Sequence, residues 1–286
     1  MWESINHAMT GLGTGGFSVT DDSIAGYGMA SQIVVIVLMI FGAIAFSAHY
    51  DLLKGRIKRF LYDAQLRSML LFFIIGFIVL TFLLSQGSAI TADSLLHLIG
   101  PASFQFISAL TCTGFASVTN LANWSESSKI LLSFAMVIGG AAGSTAGGIK
   151  LYRAILLYKG VGWRIKRAIS TPRRVFVHKL GEKSLSKDEA MDLINEAAII
   201  SFMWIIILLV GVIIISIIFP TETLGTVIFE VCSAQGNVGL TAGITSLTME
   251  PISKVMLIIN MWVGRLEIIP IIVLFRSLFG IKRNLI

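Results

Sequence analysis

Apolar residues run along this chain in long blocks, without the alternation with charge that a soluble surface requires. Met29–His49, Ser68–Ser85, Ile199–Phe219 and Ile252–Phe279 each read as one helix of membrane-crossing length, since roughly 20 apolar residues span the hydrocarbon core of a bilayer. Ser127–Tyr158 is a fifth such block, broken by glycines. Between the blocks lie shorter, semi-polar helical stretches, one starting near Trp2, one at Asp93–Leu110 and one at Glu222–Ala234. Each ends in a glycine-containing turn: GTGGFSV (Gly13–Val19), TCTGFAS (Thr111–Ser117) and QGNVGLT (Gln235–Thr241).

The order is therefore repetitive: apolar helix, short helix, turn, apolar helix. One copy runs through Arg67–Ser85, Asp93–Leu110, the second turn and Ser127–Tyr158. The next runs through Glu189–Phe219, Glu222–Ala234, the third turn and Ile252–Phe279. An earlier copy begins inside its short helix. The turn glycines are 98 residues apart from Gly16 to Gly114 and 125 from Gly114 to Gly239. These are large units, unlike a solenoid of 20–50-residue repeats. The chain divides into a partial repeat (1–53), a basic loop (54–65), a repeat with a glycine-broken second helix (66–162), a basic linker (163–188) and a last repeat (189–286). SKDE (Ser186–Glu189) reads as a capping box opening the last repeat, and Val175–Ser186 as a small hairpin.

Asp93–Leu110 carries Gly100-Pro101, Ser103, Gln105 and Ser108, too many interruptions for a helix facing lipid throughout. A re-entrant helix returning as extended backbone fits better. Such backbone is tolerated at membrane depth where protein buries it or where it lines a water-filled cavity.

Composition agrees. The 286 residues are 55% hydrophobic and 13% charged, against about 25% charged in soluble domains. The net charge of +6 does not point to nucleic acid, because of where it sits. Lys54–Arg67, Lys150–Lys187 and Arg276–Arg283 hold most cations, whereas the intervening loops carry Asp21, Asp22, Asp93, Glu126, Glu222 and Glu250. By the positive-inside rule the basic loops and the C-terminus are cytoplasmic. No signal peptide is evident at the N-terminus. Cys112, Cys232 and the four histidines show no ligand or disulfide spacing; they read as packing residues, with His7 and Asn6 placed to brace the first turn.

The chemistry lies in the turns. A cation crossing the membrane exchanges its hydration shell for other oxygens, and backbone carbonyls serve. Aiming them at one axis needs permissive φ/ψ and no bulk, which glycine supplies. Aligned, the turns give Gly15-Gly16-Phe17-Ser18, Thr113-Gly114-Phe115-Ala116 and Val238-Gly239-Leu240-Thr241. The candidate ion-binding residues are Gly15, Gly16, Thr113, Gly114, Val238 and Gly239. GLGTGG (Gly11–Gly16) matches a dinucleotide fingerprint but lacks the strand and βαβ unit that motif needs. Within GGAAGSTAGG (Gly139–Gly148), five glycines cost roughly 1 kcal/mol each in a helix, so this reads as a loop. Its GxxxGxxxG spacing would alternatively pack helices. Arg265 in the last apolar block is a costly intramembrane charge, and Glu267 two residues on faces elsewhere. Arg265 should therefore point away from it.

These motifs resemble the Trk/Ktr/HKT superfamily of potassium transporters over nearly the whole chain. NHAMTGLGTGGFS (Asn6–Ser18), TCTGFASVTN (Thr111–Asn120), GGAAGSTAGGIK (Gly139–Lys150), QGNVGL (Gln235–Leu240) and GRLEIIP (Gly264–Pro270) carry the resemblance. It implies an all-α polytopic membrane protein with repeated units of two membrane helices flanking a pore helix and filter loop, around one pore. The family has four units and this chain two and a half. The resemblance also implies a filter glycine per unit and an intramembrane gate of Gly139, Gly140, Gly143, Ser144, Thr145, Gly147, Gly148 and Arg265, with Arg265 bonding carbonyls of Gly139–Gly148. It implies no cofactor in this chain, K+ as the transported ion, a homodimer in the plasma membrane, and a cytosolic ring of nucleotide-binding regulatory subunits of the TrkA/KtrA kind. Serine at a filter glycine goes with sodium preference in this family, so the three glycines favour potassium. The competing reading is a non-transporting membrane scaffold or a membrane enzyme. An enzyme would need convergent acid, base, nucleophile or metal ligands, and a scaffold would not need three matching re-entrant loops.

Overall fold

The computed structural model describes residues 1–86, 92–171, 177–181, 183–266 and 268–278. Glu267, Arg173, Arg174, Val175 and Phe176 fall outside that description, as do the side chains of Asp93 and His97. The fold is built of helices. The first unit holds α1 (Trp2–Leu12), α2 (Met29–Ala43), α3 (Phe46–Leu53) and α4 (Ile57–Tyr62). The second holds α5 (Ala64–Ser85), α6 (Ala92–Leu110), α7 (Glu126–Ile138) and α8 (Leu151–Ile169). After a hairpin of β1 (His178–Leu180) and β2 (Lys183–Leu185) comes the third, with α9 (Lys187–Ile218), α10 (Leu224–Gln235), α11 (Pro251–Leu266) and α12 (Ile268–Leu278).

Two helices alone are long and apolar enough to cross a membrane among the described residues, Ala64–Ser85 and Lys187–Ile218. Their outward faces are apolar: Ile74, Ile78 and Phe82 on α5, and Phe202, Leu209 and Ile213 on α9, are exposed. With lipid as the solvent this is the expected arrangement, because association among such helices rests on close packing. Gly76 of α5 supplies such an approach, since a Cβ there would overlap the Phe106 ring of α6. The 32 residues of α9 reach about 48 Å at 1.5 Å per residue. Its charged start therefore stands outside the hydrocarbon. The capping box is present there, with the Ser186 hydroxyl accepting from Glu189 N–H and the Glu189 carboxylate accepting from Ser186 N–H. The hairpin forms antiparallel, pairing His178 with Leu185.

The block Met29–His49 is not one helix. It breaks at Ile44-Ala45, and α2 and α3 meet at 103°. The cause lies in the far-off glycine-rich stretch, which occupies the end of α2. Gly42 O accepts from the Thr145 hydroxyl at 2.9 Å and Ala43 O from Ala141 N–H at 3.0 Å. Phe46 N–H, just past the break, donates to Gly143 O at 2.8 Å. The last carbonyls of a helix need partners from outside it, and here they find them in another unit. Arg265 is carried by α11.

The core centres on the second unit and α10. Phe229 and Cys232 of α10 pack with Cys112, Leu132 and Met136. α10 is buried along nearly its whole length, whereas α1 buries only His7 and Gly11.

Candidate functional site

The three turns share one backbone design. Two residues before each turn glycine stands a non-glycine residue at positive φ: Thr14 (49°), Cys112 (52°) and Asn237 (53°). The glycines follow at 63° for Gly16, 90° for Gly114 and 96° for Gly239. Side chains rarely adopt this left-handed region, so both positions are held by their surroundings.

The short helices hold them. Six residues before each glycine a hydroxyl caps the turn. Thr10 donates to Phe17 O at 2.8 Å, and Ser108 donates to Phe115 O at 2.7 Å while accepting from Gly114 N–H at 3.1 Å. Ser233 accepts from Gly239 N–H at 3.1 Å. Nine residues before each glycine a larger polar side chain ties the outgoing strand. His7 Nε2 pairs with the Ser18 hydroxyl at 2.9 Å. Gln105 Oε1 accepts from Ser117 N–H at 2.9 Å. Glu230 Oε1 accepts from Thr241 Oγ1, Ala242 N–H and Ile244 N–H, and Oε2 from Thr245 Oγ1. Of these braces the motif reading holds only His7, since Asn6 donates to Trp2 O instead; counting back from the aligned glycines finds the others.

The turns also meet one another in order. A Cβ on Gly16 would collide with the Thr113 carbonyl, and one on Gly114 with the Val238 carbonyl and, at 3.3 Å, Gly239 Cα. A Cβ on Gly239 would meet nothing within 4 Å among the described atoms. The faces of Gly16 and Gly114 thus lie against the carbonyl just before the next glycine. Gly15, Thr113 and Val238 occupy equivalent positions, each amide bonded to its own short helix: Gly15 N–H to Thr10 O, Thr113 N–H to Ser108 O and Val238 N–H to Ser233 O.

Gly139–Gly148 is non-helical between α7 and α8. It contacts two of the turns, and the helix end leading into it contacts the other. The Thr14 hydroxyl donates to the Thr145 hydroxyl at 3.0 Å, and a Cβ on Gly147 would collide with the Gly236 carbonyl. Cys112 Sγ lies 3.7 Å from Met136 O, at the end of α7. Gly139 and Gly148 pack face to face, and Gly140 packs on Ala146 and Ala43. Ser144 folds back onto Ala141 O. Arg265 Nη1 donates to Thr145 O at 3.0 Å, so the guanidinium reaches the stretch from α11. Residue 145 is the junction: its hydroxyl meets α2 and the first turn, and its carbonyl meets Arg265.

A cation-transport family model, TrkH, matches residues 1–281. An uncharacterized cation transporter of Methanocaldococcus jannaschii is 32% identical over 97% of this chain and 54% of its own length. The Trk system potassium uptake protein TrkH of Escherichia coli is 31% identical over 97% of this chain and 56% of its own. The crystal structure of the potassium transporter TrkH from Vibrio parahaemolyticus superposes with a TM-score of 0.80 at 26% identity. It covers 96% of this chain and 58% of that one. The chain spans a little over half the length of the curated relatives it matches.

Proposed function

Because this chain belongs to the TrkH cation transport family, whose members are transporters and not enzymes, we propose that it forms most of a pore for potassium uptake. Dehydrated K+ passes the carbonyls of the turns at Gly15-Gly16, Thr113-Gly114 and Val238-Gly239. The observation carrying this reading is the ordered contact of the turns, Gly16 on Thr113 and Gly114 on Val238. Turns so placed can present successive carbonyls to one axis, and fixed oxygens there replace water around an ion without a trapping charge.

The glycine-rich stretch is the gate in this reading. It closes the path beneath the turns, with Arg265 pinning Thr145 and setting a positive barrier to cations. Opening requires Arg265 and Thr145 to part. The basic loops and the C-terminus face the cytoplasm of a plasma-membrane protein. There they would meet a second copy of the subunit and a ring of nucleotide-binding regulatory proteins, with the nucleotide held by the ring.

The test is rescue of a potassium-uptake-deficient strain by the full-length gene, with sodium and rubidium as competitors. Growth at low potassium that rubidium inhibits and sodium does not is the expected result. Failure at low potassium, with the protein present in the membrane, overturns the assignment. Rescue only when sodium is present would point to sodium coupling.

A further inference from the structure

Away from the turns, a cavity of about 1250 Å³ opens between the end of α8, the hairpin and the start of α9. The cations Arg164, Lys166 and Arg167 from the end of α8 and Lys187 from the start of α9 line it together with the apolar Leu157, Val161, Met191 and Ile194 of the same two helices. Gly160 lies against Ile194, which brings the two helices together at its floor.

We propose that this cavity binds an anionic phospholipid, its phosphate on Arg164, Arg167 and Lys187 and its acyl chains along the apolar side chains. Three observations converge on an amphiphilic anion. First, the ion pairs among the described residues are Arg56–Asp51 and Lys129–Glu126, so these four cations have no acidic partner there. Lys166 and Arg167 gain from the C-terminal dipole of α8, whereas Lys187 opens α9 beside Asp188 and Glu189, which serve that helix start. Second, His178 Nδ1 is buried on the lining without a hydrogen-bond partner, its ring edge-on to Trp163 at 4.8 Å. Third, beyond Met191 and Ile194 the exposed face of α9 turns apolar at Ile199 and Phe202, so the helix lining the cavity runs on toward the lipid-facing surface. A soluble anion would leave the apolar lining wet. Basic pockets between membrane helices recognise anionic headgroups by this combination. The inference rests on membrane placement and holds whichever cation is carried.

Native mass spectrometry of the detergent-purified full-length protein tests it, titrating phosphatidylglycerol and, separately, phosphatidylcholine. The expected result is retention of phosphatidylglycerol at least about tenfold better than phosphatidylcholine, from roughly 1 kcal/mol per basic residue. Arg164→Ala with Arg167→Ala should weaken phosphatidylglycerol about thirtyfold on the same figure, leaving phosphatidylcholine unchanged. The paired Lys replacements should keep most of the binding. Lys187→Gln, expected to cost about fivefold, serves if the double variant does not fold. Equal retention of the two lipids, or undiminished phosphatidylglycerol binding by both Arg164→Ala/Arg167→Ala and Lys187→Gln, overturns the proposal. Displacement of the lipid by millimolar inorganic phosphate would overturn it in favour of a soluble anion, and displacement by the regulatory partner in favour of a protein interface.

Discussion

Glu230 is 3% exposed and forms no ion pair among the described residues, yet four donors from residues 241–245 close on its two oxygens. A buried charge satisfied this way holds its loop tightly, because releasing one donor leaves a polar group unpaired. Glu230→Gln replaces an acceptor oxygen with an NH2 facing donors, at a cost of about 1–3 kcal/mol. The expected outcome is a lower melting temperature of the purified protein together with a changed rubidium-to-potassium uptake ratio. An unchanged ratio would confine Glu230 to stability. Gly114 is more demanding. At φ 90° with the Val238 carbonyl against it, Gly114→Ala meets both backbone strain of about 1–3 kcal/mol and a collision with main chain. Uptake should fall at least tenfold at an unchanged membrane level, measured as initial rubidium influx.

The break between α2 and α3 and the glycine-rich stretch form one mechanical element. The stretch supplies donors to Gly42 O and Ala43 O and takes the Phe46 amide in return. Any movement of the stretch must re-partner these groups, at about 1 kcal/mol for each bond left unmade. Arg265 adds the Thr145 carbonyl contact. Arg265→Ala should therefore raise rubidium efflux from proteoliposomes several-fold. Arg265→Lys should lie between, because a lysine keeps the charge and loses the planar fork. Unchanged flux in Arg265→Ala would remove the pinning role. This element shows where the sequence was legible. The loop was plain from five glycines in ten residues, and the turns from their common x-Gly-(large apolar)-(small) pattern. The break in Met29–His49 was not, because the run stays apolar through Ile44-Ala45 and the groups that end the helix lie about 100 residues away.

In the whole molecule, the contact order from Gly16 to Thr113 and from Gly114 to Val238 stops at Gly239, whose face meets nothing among the described residues. On the opposite flank α1 exposes Trp2, Ile5, Met9 and Leu12, spaced along one helical stripe. Both flanks have the character of surfaces that pack on protein. If a further unit completes the ring in the full-length protein, Gly239→Ala will there reduce uptake as severely as Gly114→Ala. A markedly milder Gly239→Ala would show that no main chain approaches that glycine. The bend between α2 and α3 has one more effect. The 15 residues of α2 rise only about 22 Å, against roughly 30 Å of hydrocarbon, so this edge of the molecule is short for an ordinary bilayer. A short span is met by thinning of the lipid, by snorkelling flanks or by packing on protein, each at a cost for every ångström of mismatch. The glycine-rich stretch hydrogen-bonds the inner end of that short helix, so membrane thickness and acyl-chain length become physical variables acting on the same bonds as Arg265.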